Sequence, residues 1–207
     1  MKKKPETIAE LTVVCGSMFA GKTEELIRQA RRALYAKKIV QVFKPQIDSR
    51  FDASMVVTHM GVAHEAIPVG STKELASLLN PDVEVVLIEE VQFFSSDIVV
   101  LVQGLVDQGV NVVCAGLDQD FRRKPFGPMP ALLALADVVI KLRAICMNCG
   151  ALASHTYRVI DGRPAHWNDP TILIGANESY EARCHKCFKL LGIPKSEQPT
   201  LSLNTKK

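Results

Sequence analysis

The stretch Gly16-Ser17-Met18-Phe19-Ala20-Gly21-Lys22-Thr23 constrains the fold more than any other in these 207 residues. It satisfies G-x-x-x-x-G-K-[ST] at every fixed position. Glycines at both ends let successive backbone N–H groups turn inward around phosphate oxygens. Lys22 is placed to reach the β- and γ-phosphates and the Thr23 hydroxyl to hold magnesium. Such a loop must leave a strand and open a helix, whose positive end favours an anion. The flanks comply: Ile8 to Cys15 reads as an apolar strand. Glu24 to Lys38 reads as a helix with Leu26, Ile27, Ala30 and Leu34 at helical spacing. An ordinary strand–turn–helix connection is the plainer alternative.

The strand–helix alternation continues. Ile39 to Phe43 is a second expected strand, and Val62 to Val69 an edge strand. Thr72 to Leu79 is a short helix with Ser71 as its N-cap. The nearly unbroken apolar run Val83 to Ile88 fits a strand buried on both faces. Asp97 to Gln108 is a helix stopped by Gly109. Val110 to Ala115, Pro130 to Ala136 and Val138 to Leu142 read as strand, helix and strand. This order predicts an α/β fold: a parallel sheet flanked by helices, over residues 1–143. From 144 to 193 short β-like pieces and turns surround four cysteines, a second, small domain. Residues 194–207 are expected to be a flexible polar tail.

The run Val83–Ile88 ends in Glu89-Glu90-Val91-Gln92. Consecutive side chains on an extended chain point to opposite sides. One carboxylate can face a nucleotide's magnesium and the other an acceptor hydroxyl that needs a general base. Glu89 is assigned to magnesium and Glu90 to the base. Solvated loop acids are the alternative.

Six cysteines are present. Cys15 and Cys114 sit at the ends of apolar runs and read as small buried hydrophobes. Cys146 with Cys149, and Cys184 with Cys187, form two C-x-x-C turns separated by 34 residues. Two such turns supply four thiolates for a tetrahedral structural zinc site. The separation exceeds that of a compact zinc ribbon, so a segment must loop out between them. A redox pair is the rival reading, although one C-x-x-C would suffice for it. His185, inside the second turn, is read as a surface residue.

The formal net charge of +3 owes five positive charges to Lys2, Lys3, Lys4, Lys206 and Lys207. Without these, 20 basic residues face 22 acidic ones. That balance argues against a nucleic-acid-binding body. No apolar run approaches the ~20 residues of a membrane span, and the first residues show no secretory pattern. A cytoplasmic location is expected.

Taken together, these motifs resemble the type II, zinc-containing thymidine kinases from about Leu11 to Leu190. The loop at 16–23 is similar to the family's P-loop, and Lys44-Pro45 with Asp48-Ser49-Arg50 to its next nucleotide-side element. Glu89 to Phe94 resembles its acidic motif. Gly116 to Phe121 with Pro125 to Pro130 resembles its substrate loop. Ile172 to Arg183, enclosed by the cysteine pairs, is similar to its lasso. The resemblance implies a RecA-like P-loop domain with a zinc domain carrying the lasso. It implies ATP and Mg2+ as cofactor and ion, with structural Zn2+, and a homotetramer. The reaction implied is transfer of the ATP γ-phosphate to the 5′-hydroxyl of thymidine or deoxyuridine. Feedback inhibition by dTTP, the end product of this salvage route to DNA precursors, is also implied.

Carried over by position, Glu90 is the proton acceptor. Gly16 to Thr23, Asp48, Ser49, Arg50, Glu89, Glu90, Val91 and Gln92 line the nucleotide. Phe121 and Tyr180 hold the nucleoside, though both could simply pack in a core. Thr171, Ile172, Leu173, Ile174 and Gly175 offer backbone groups to the base, and Met18, Leu117 and Thr156 lie near the thymine ring. The family commonly carries Asp where Glu89 stands. Two rivals remain: a P-loop ATPase binding single-stranded nucleic acid through a zinc ribbon, and a nucleotide sensor without chemistry.

Overall fold

The computed structural model describes residues 8–46, 55–57, 63–171 and 178–198. The expectations for Asp48, Ser49, Arg50, Ile172, Leu173, Ile174 and Gly175 lie outside these residues.

The chain begins with β1 (Leu11–Cys15), then α1 (Lys22–Tyr35), β2 (Val40–Pro45), and the short pair β3 (Met55–Val57) and β4 (Ala63–Glu65). There follow β5 (Ile67–Val69), α2 (Thr72–Ser77), β6 (Val85–Ile88), a 3-10 turn at Val91–Phe93, α3 (Asp97–Asp107) and β7 (Asn111–Gly116). α4 (Met129–Leu135) and β8 (Val138–Lys141) complete the first unit. Six strands form one sheet in the order β5-β2-β6-β7-β1-β8, with every neighbouring pair parallel. The expected α/β fold is therefore present, and β6, which leads into the acidic pair, lies one strand away from β1.

Side-chain alternation builds two cores. Val13, Cys15, Val86, Ile88, Val112 and Cys114 face one way, against Leu75 of α2, Ile98 and Val102 of α3, and Leu132 of α4. Val14, Leu87, Val113 and Ala115 face the other, against Leu26, Ile27, Ala30 and Ala33 of α1. Ala33 thus takes the buried place expected for Leu34, which is half-exposed at the rim of the helix face. Ile8 is 93% exposed and stands outside β1. Ser71 caps α2 as expected, its Oγ accepting from the Glu74 N–H at 3.1 Å. Gly109 ends α3 at φ +86°; its N–H donates to the Val106 carbonyl at 2.9 Å and that of Val110 to Leu105 at 3.0 Å. Cys15 and Cys114 are fully buried, and burial pushes their thiols up to about 11 and about 12.

After β8 the architecture changes. β9 (Ala144–Ile145) and β10 (Leu152–Ala153) pair antiparallel. β11 (His155–Ile160) lies between β12 (Arg163–Pro164) and β13 (Glu178–Arg183), again antiparallel. The core around the cysteines is small: Ala144, Cys146, Ala153, Ala182 and Cys184. Beyond Pro194, a 3-10 turn at Lys195–Glu197 is tied back, Glu197 pairing with Lys124 at 2.6 Å.

Candidate active site and metal centre

The loop between β1 and α1 owes its path to backbone conformations that few residues adopt. Gly16 has φ +148°, and a Cβ there would stand 2.5 Å from the Leu142 carbonyl oxygen. Gly21 is left-handed at φ 90° and no side chain caps α1, so its first N–H groups stay open to an anion. Lys22 is buried and its Nζ donates to the Ser17 carbonyl at 3.0 Å, folding the ammonium back over the loop. Burial lowers the Lys22 ammonium below its ordinary value, against the raising charges of Glu90 and Glu89. The Ser17 hydroxyl is buried without a hydrogen-bond partner among the described residues. The Met18 N–H donates to Thr156 Oγ1 of β11 at 3.1 Å, so the second unit touches the β1–α1 loop directly. Ala20 packs with the cysteine core.

The acidic pair arrives from β6. Leu87 faces α1, and two residues later so does Glu89. Its Oε1 accepts from Thr23 Oγ1 at 2.7 Å. Hydroxyl and carboxylate at that spacing are suitable oxygen donors for magnesium or its bound waters. Burial first, and then the charge of Glu90, push the Glu89 carboxyl up to about 7. Its folded value thus exceeds the ordinary 4.5, so the fold favours the protonated form. Stability from this residue is full below pH 4.5 and is lost as pH rises through 7. In nucleotide-free, magnesium-free protein, Glu89→Gln should be more stable than the parent at pH 8, by about 1–3 kcal/mol. Thermal melts at pH 8 and pH 4.5 check this; an equal difference at both would contradict it.

Glu90 adopts the left-handed conformation, φ 48° and ψ 40°, and starts the 3-10 turn. Its carboxylate accepts from Gln92 Nε2. Gln92 is buried, and its Oε1 accepts from the Leu117 N–H at 3.0 Å. Val91 is fully buried in the sheet core. Phe93 and Phe126 meet edge to face, centroids 5.6 Å apart, closing the 117–127 loop over this turn.

Among the expected nucleoside-side residues, Met18 and Thr156 are joined by the hydrogen bond already described. Leu117 is linked to the acidic motif through Gln92. Phe121 is buried with Ile160, Ala165 and Leu190. The guanidinium carbons of Arg158 and Arg122 lie 3.8 and 4.8 Å from its ring centroid. Arg158 is itself buried on β11, opposite Tyr180 of β13. It donates to the Pro170 and Thr171 carbonyls at 2.7 and 3.1 Å. Arg122 donates to the Trp167 carbonyl at 3.1 Å and also to the Thr171 hydroxyl.

Sequence reasoning missed Arg158. The signal was the period-2 face shared by Thr156, Arg158 and Ile160, which puts an arginine among buried neighbours. It also missed the buried Asp118, paired with Lys141 at 2.8 Å, and His155. The latter joins Gln119 at 3.1 Å to His185 at 3.0 Å. Burial, then the charge of Arg123, push His155 down to about 4.

The four cysteines converge: the sulfurs of Cys146, Cys149, Cys184 and Cys187 lie within 4.8 Å of one another. Cys149 and Cys184 are 3.7 Å apart, while tetrahedral thiolates about 2.3 Å from zinc are about 3.8 Å apart. This donor set fits a structural zinc, and His185, exposed, stands outside it.

Among the described residues no helix is long and apolar enough to cross a membrane. Compared with known proteins, residues 9–188 match the family model for thymidine kinase.

Proposed function

The chain belongs to the thymidine kinase family, and from that premise we propose that it moves the γ-phosphate of ATP to the 5′-hydroxyl of thymidine and of deoxyuridine. The observation that carries this reading is the contact between Thr23 and Glu89 at 2.7 Å, with Glu90 next in the chain. A hydroxyl of the glycine-rich loop set against the first of two adjacent carboxylates supports a shared nucleotide and acceptor site.

In this reading Gly16 to Thr23 hold the triphosphate, assisted by Asp48, Ser49 and Arg50 and flanked by Glu89 to Gln92. Thr23 and Glu89 would hold magnesium, which would supply neutralisation of charge on the transferring group. Glu90 accepts the proton of the 5′-hydroxyl as that oxygen attacks the γ-phosphorus. The bond from γ-phosphorus to the bridging oxygen breaks, ADP leaves with the electron pair, and the proton on Glu90 passes to solvent. Lys22 offers its ammonium to the oxygens on which charge gathers. Phe121 and Tyr180 shape the nucleoside site, with Met18, Leu117 and Thr156 toward the thymine ring. Backbone groups of residues 171–175 match the polar edge of the base.

Residues 144–193 act as a zinc domain that anchors this segment beside the P-loop domain 1–143. Homotetramer formation, inhibition by dTTP and a cytoplasmic role in deoxynucleotide salvage belong to the same reading. Incubation with γ-labelled ATP and a nucleoside panel tests it. Label should appear in the monophosphates of thymidine and deoxyuridine, with purine nucleosides left unlabelled. ATP binding with no labelled nucleoside would refute it.

A further inference from the structure

Gln92 occupies an unusual position for a residue beside a nucleotide. Only 2% of its surface is exposed, and both ends of its amide are committed to protein groups. Nε2 donates to the Glu90 carboxylate, and Oε1 accepts from the Leu117 N–H at 3.0 Å. Two glycines make room for it. A Cβ at Gly116 would stand 2.5 Å from Gln92 Oε1, and one at Gly127 would overlap the Gln92 carbonyl oxygen.

The residue it holds is under strain. Glu90 is left-handed without being glycine, a conformation that persists where its surroundings over-determine it. The Phe93 N–H donates to the Glu90 carbonyl at 3.1 Å, fixing the backbone. That bond leaves the carboxylate free to rotate. The Gln92 amide donates a hydrogen bond to the carboxylate itself.

We infer that Gln92 is a positioning residue for phosphoryl transfer: it aims the Glu90 carboxylate and ties that aim to the 117–127 loop through the Leu117 N–H. The inference rests on Glu90 being the base, as proposed above. Its consequence is a division of labour within Glu89-Glu90-Val91-Gln92. Gln92 acts on the acceptor side of the reaction through Glu90, and the bound nucleotide does not need its side chain.

The test compares Gln92→Glu with Gln92→Met. The glutamate keeps the acceptor for Leu117 but turns a carboxylate oxygen toward Glu90; the methionine removes both bonds at similar volume. Turnover in the ATP–thymidine reaction should fall about 10- to 100-fold in each, as expected for a small displacement of a reacting group. The dissociation constant of ADP should stay within about twofold, because both polar ends of the Gln92 side chain are bonded to protein groups, which leaves the phosphates to Gly16 to Thr23.

A cycle with Glu90→Gln separates the inference from the reading beneath it. A residue acting only through Glu90 loses its effect once Glu90 is gone, so Glu90→Gln with Gln92→Glu should turn over no more slowly than Glu90→Gln alone. That swapped pair should also regain thermal stability lost in Gln92→Glu, since an amide again faces a carboxylate. If Gln92→Glu and Gln92→Met keep full turnover while Glu90→Gln is inactive, the inference fails and the base assignment stands. If ADP affinity falls in step with turnover, or the two losses multiply, Gln92 acts elsewhere and the inference fails. If Glu90→Gln itself keeps full turnover, the base assignment fails and this inference falls with it. Should Gln92→Met not fold, Gln92→Glu and the swapped pair distinguish the same outcomes.

Discussion

Glu90→Gln is expected to lower turnover with thymidine by about 10²- to 10⁴-fold, the usual contribution of a general base. The substitution keeps size and removes the ability to accept a proton. It also leaves the neighbouring carboxylate in place, so the Thr23–Glu89 contact at 2.7 Å should survive. Lys22 loses one favourable charge, since Glu90 is the first of those supporting its ammonium. A modest change in nucleotide affinity is therefore expected alongside a large change in rate. Steady-state kinetics with a direct ADP-binding measurement separate the two. Parent-like turnover would remove Glu90 from the chemistry. A loss confined to nucleotide affinity would move it to the phosphate-binding group.

Loss of the metal is the second large effect. Cys184→Ser should abolish stoichiometric zinc, and prolonged chelation of the parent should do the same. The core it supports consists of alanines and the cysteines themselves. So little apolar surface cannot repay the ordering of two turns and a three-stranded sheet, and metal binding here is folding free energy. The damage should spread to the phosphate loop, because Ala20 packs on this core and Thr156 of β11 accepts from the Met18 N–H. The expected result is loss of thymidine binding, a lower melting temperature and weakened ADP binding, read by zinc content, melting curves and calorimetry. A zinc-free protein with full activity would show that the cysteine cluster is dispensable.

Both expectations start from residues that were legible in the chain. The phosphate loop, the acidic pair and the cysteine turns each place their chemistry within a few consecutive residues. Local backbone geometry then dictates their arrangement. Element boundaries shifted slightly: α1 begins at Lys22, where the loop's last residues already have helical geometry, and not at Glu24. Val83 and Glu84 lead into β6 from a loop, their neighbourhood set by the N–H groups of Glu84 and Val85 donating to the Ile39 carbonyl. Ala33, three residues after Ala30 and seven after Leu26, continues the helix face that packs on the sheet, and Leu34 falls at its rim.

What the sequence by itself determined was a set of short motifs: the glycine-rich loop at Gly16 to Thr23, two adjacent acids at 89 and 90, and four cysteines in two turns. Each is a short-range pattern whose spacing already carries the geometry. Only the tertiary structure decided how those parts are held. Arg158 against Phe121, Thr156 against the Met18 N–H, and Gln92 between Glu90 and Leu117 all join residues far apart in the chain or buried by a glycine's missing side chain. Such contacts depend on which strands become neighbours and which side chains face inward together. No local propensity encodes them, because their free energy appears only when the whole sheet and the cysteine-bound unit are assembled.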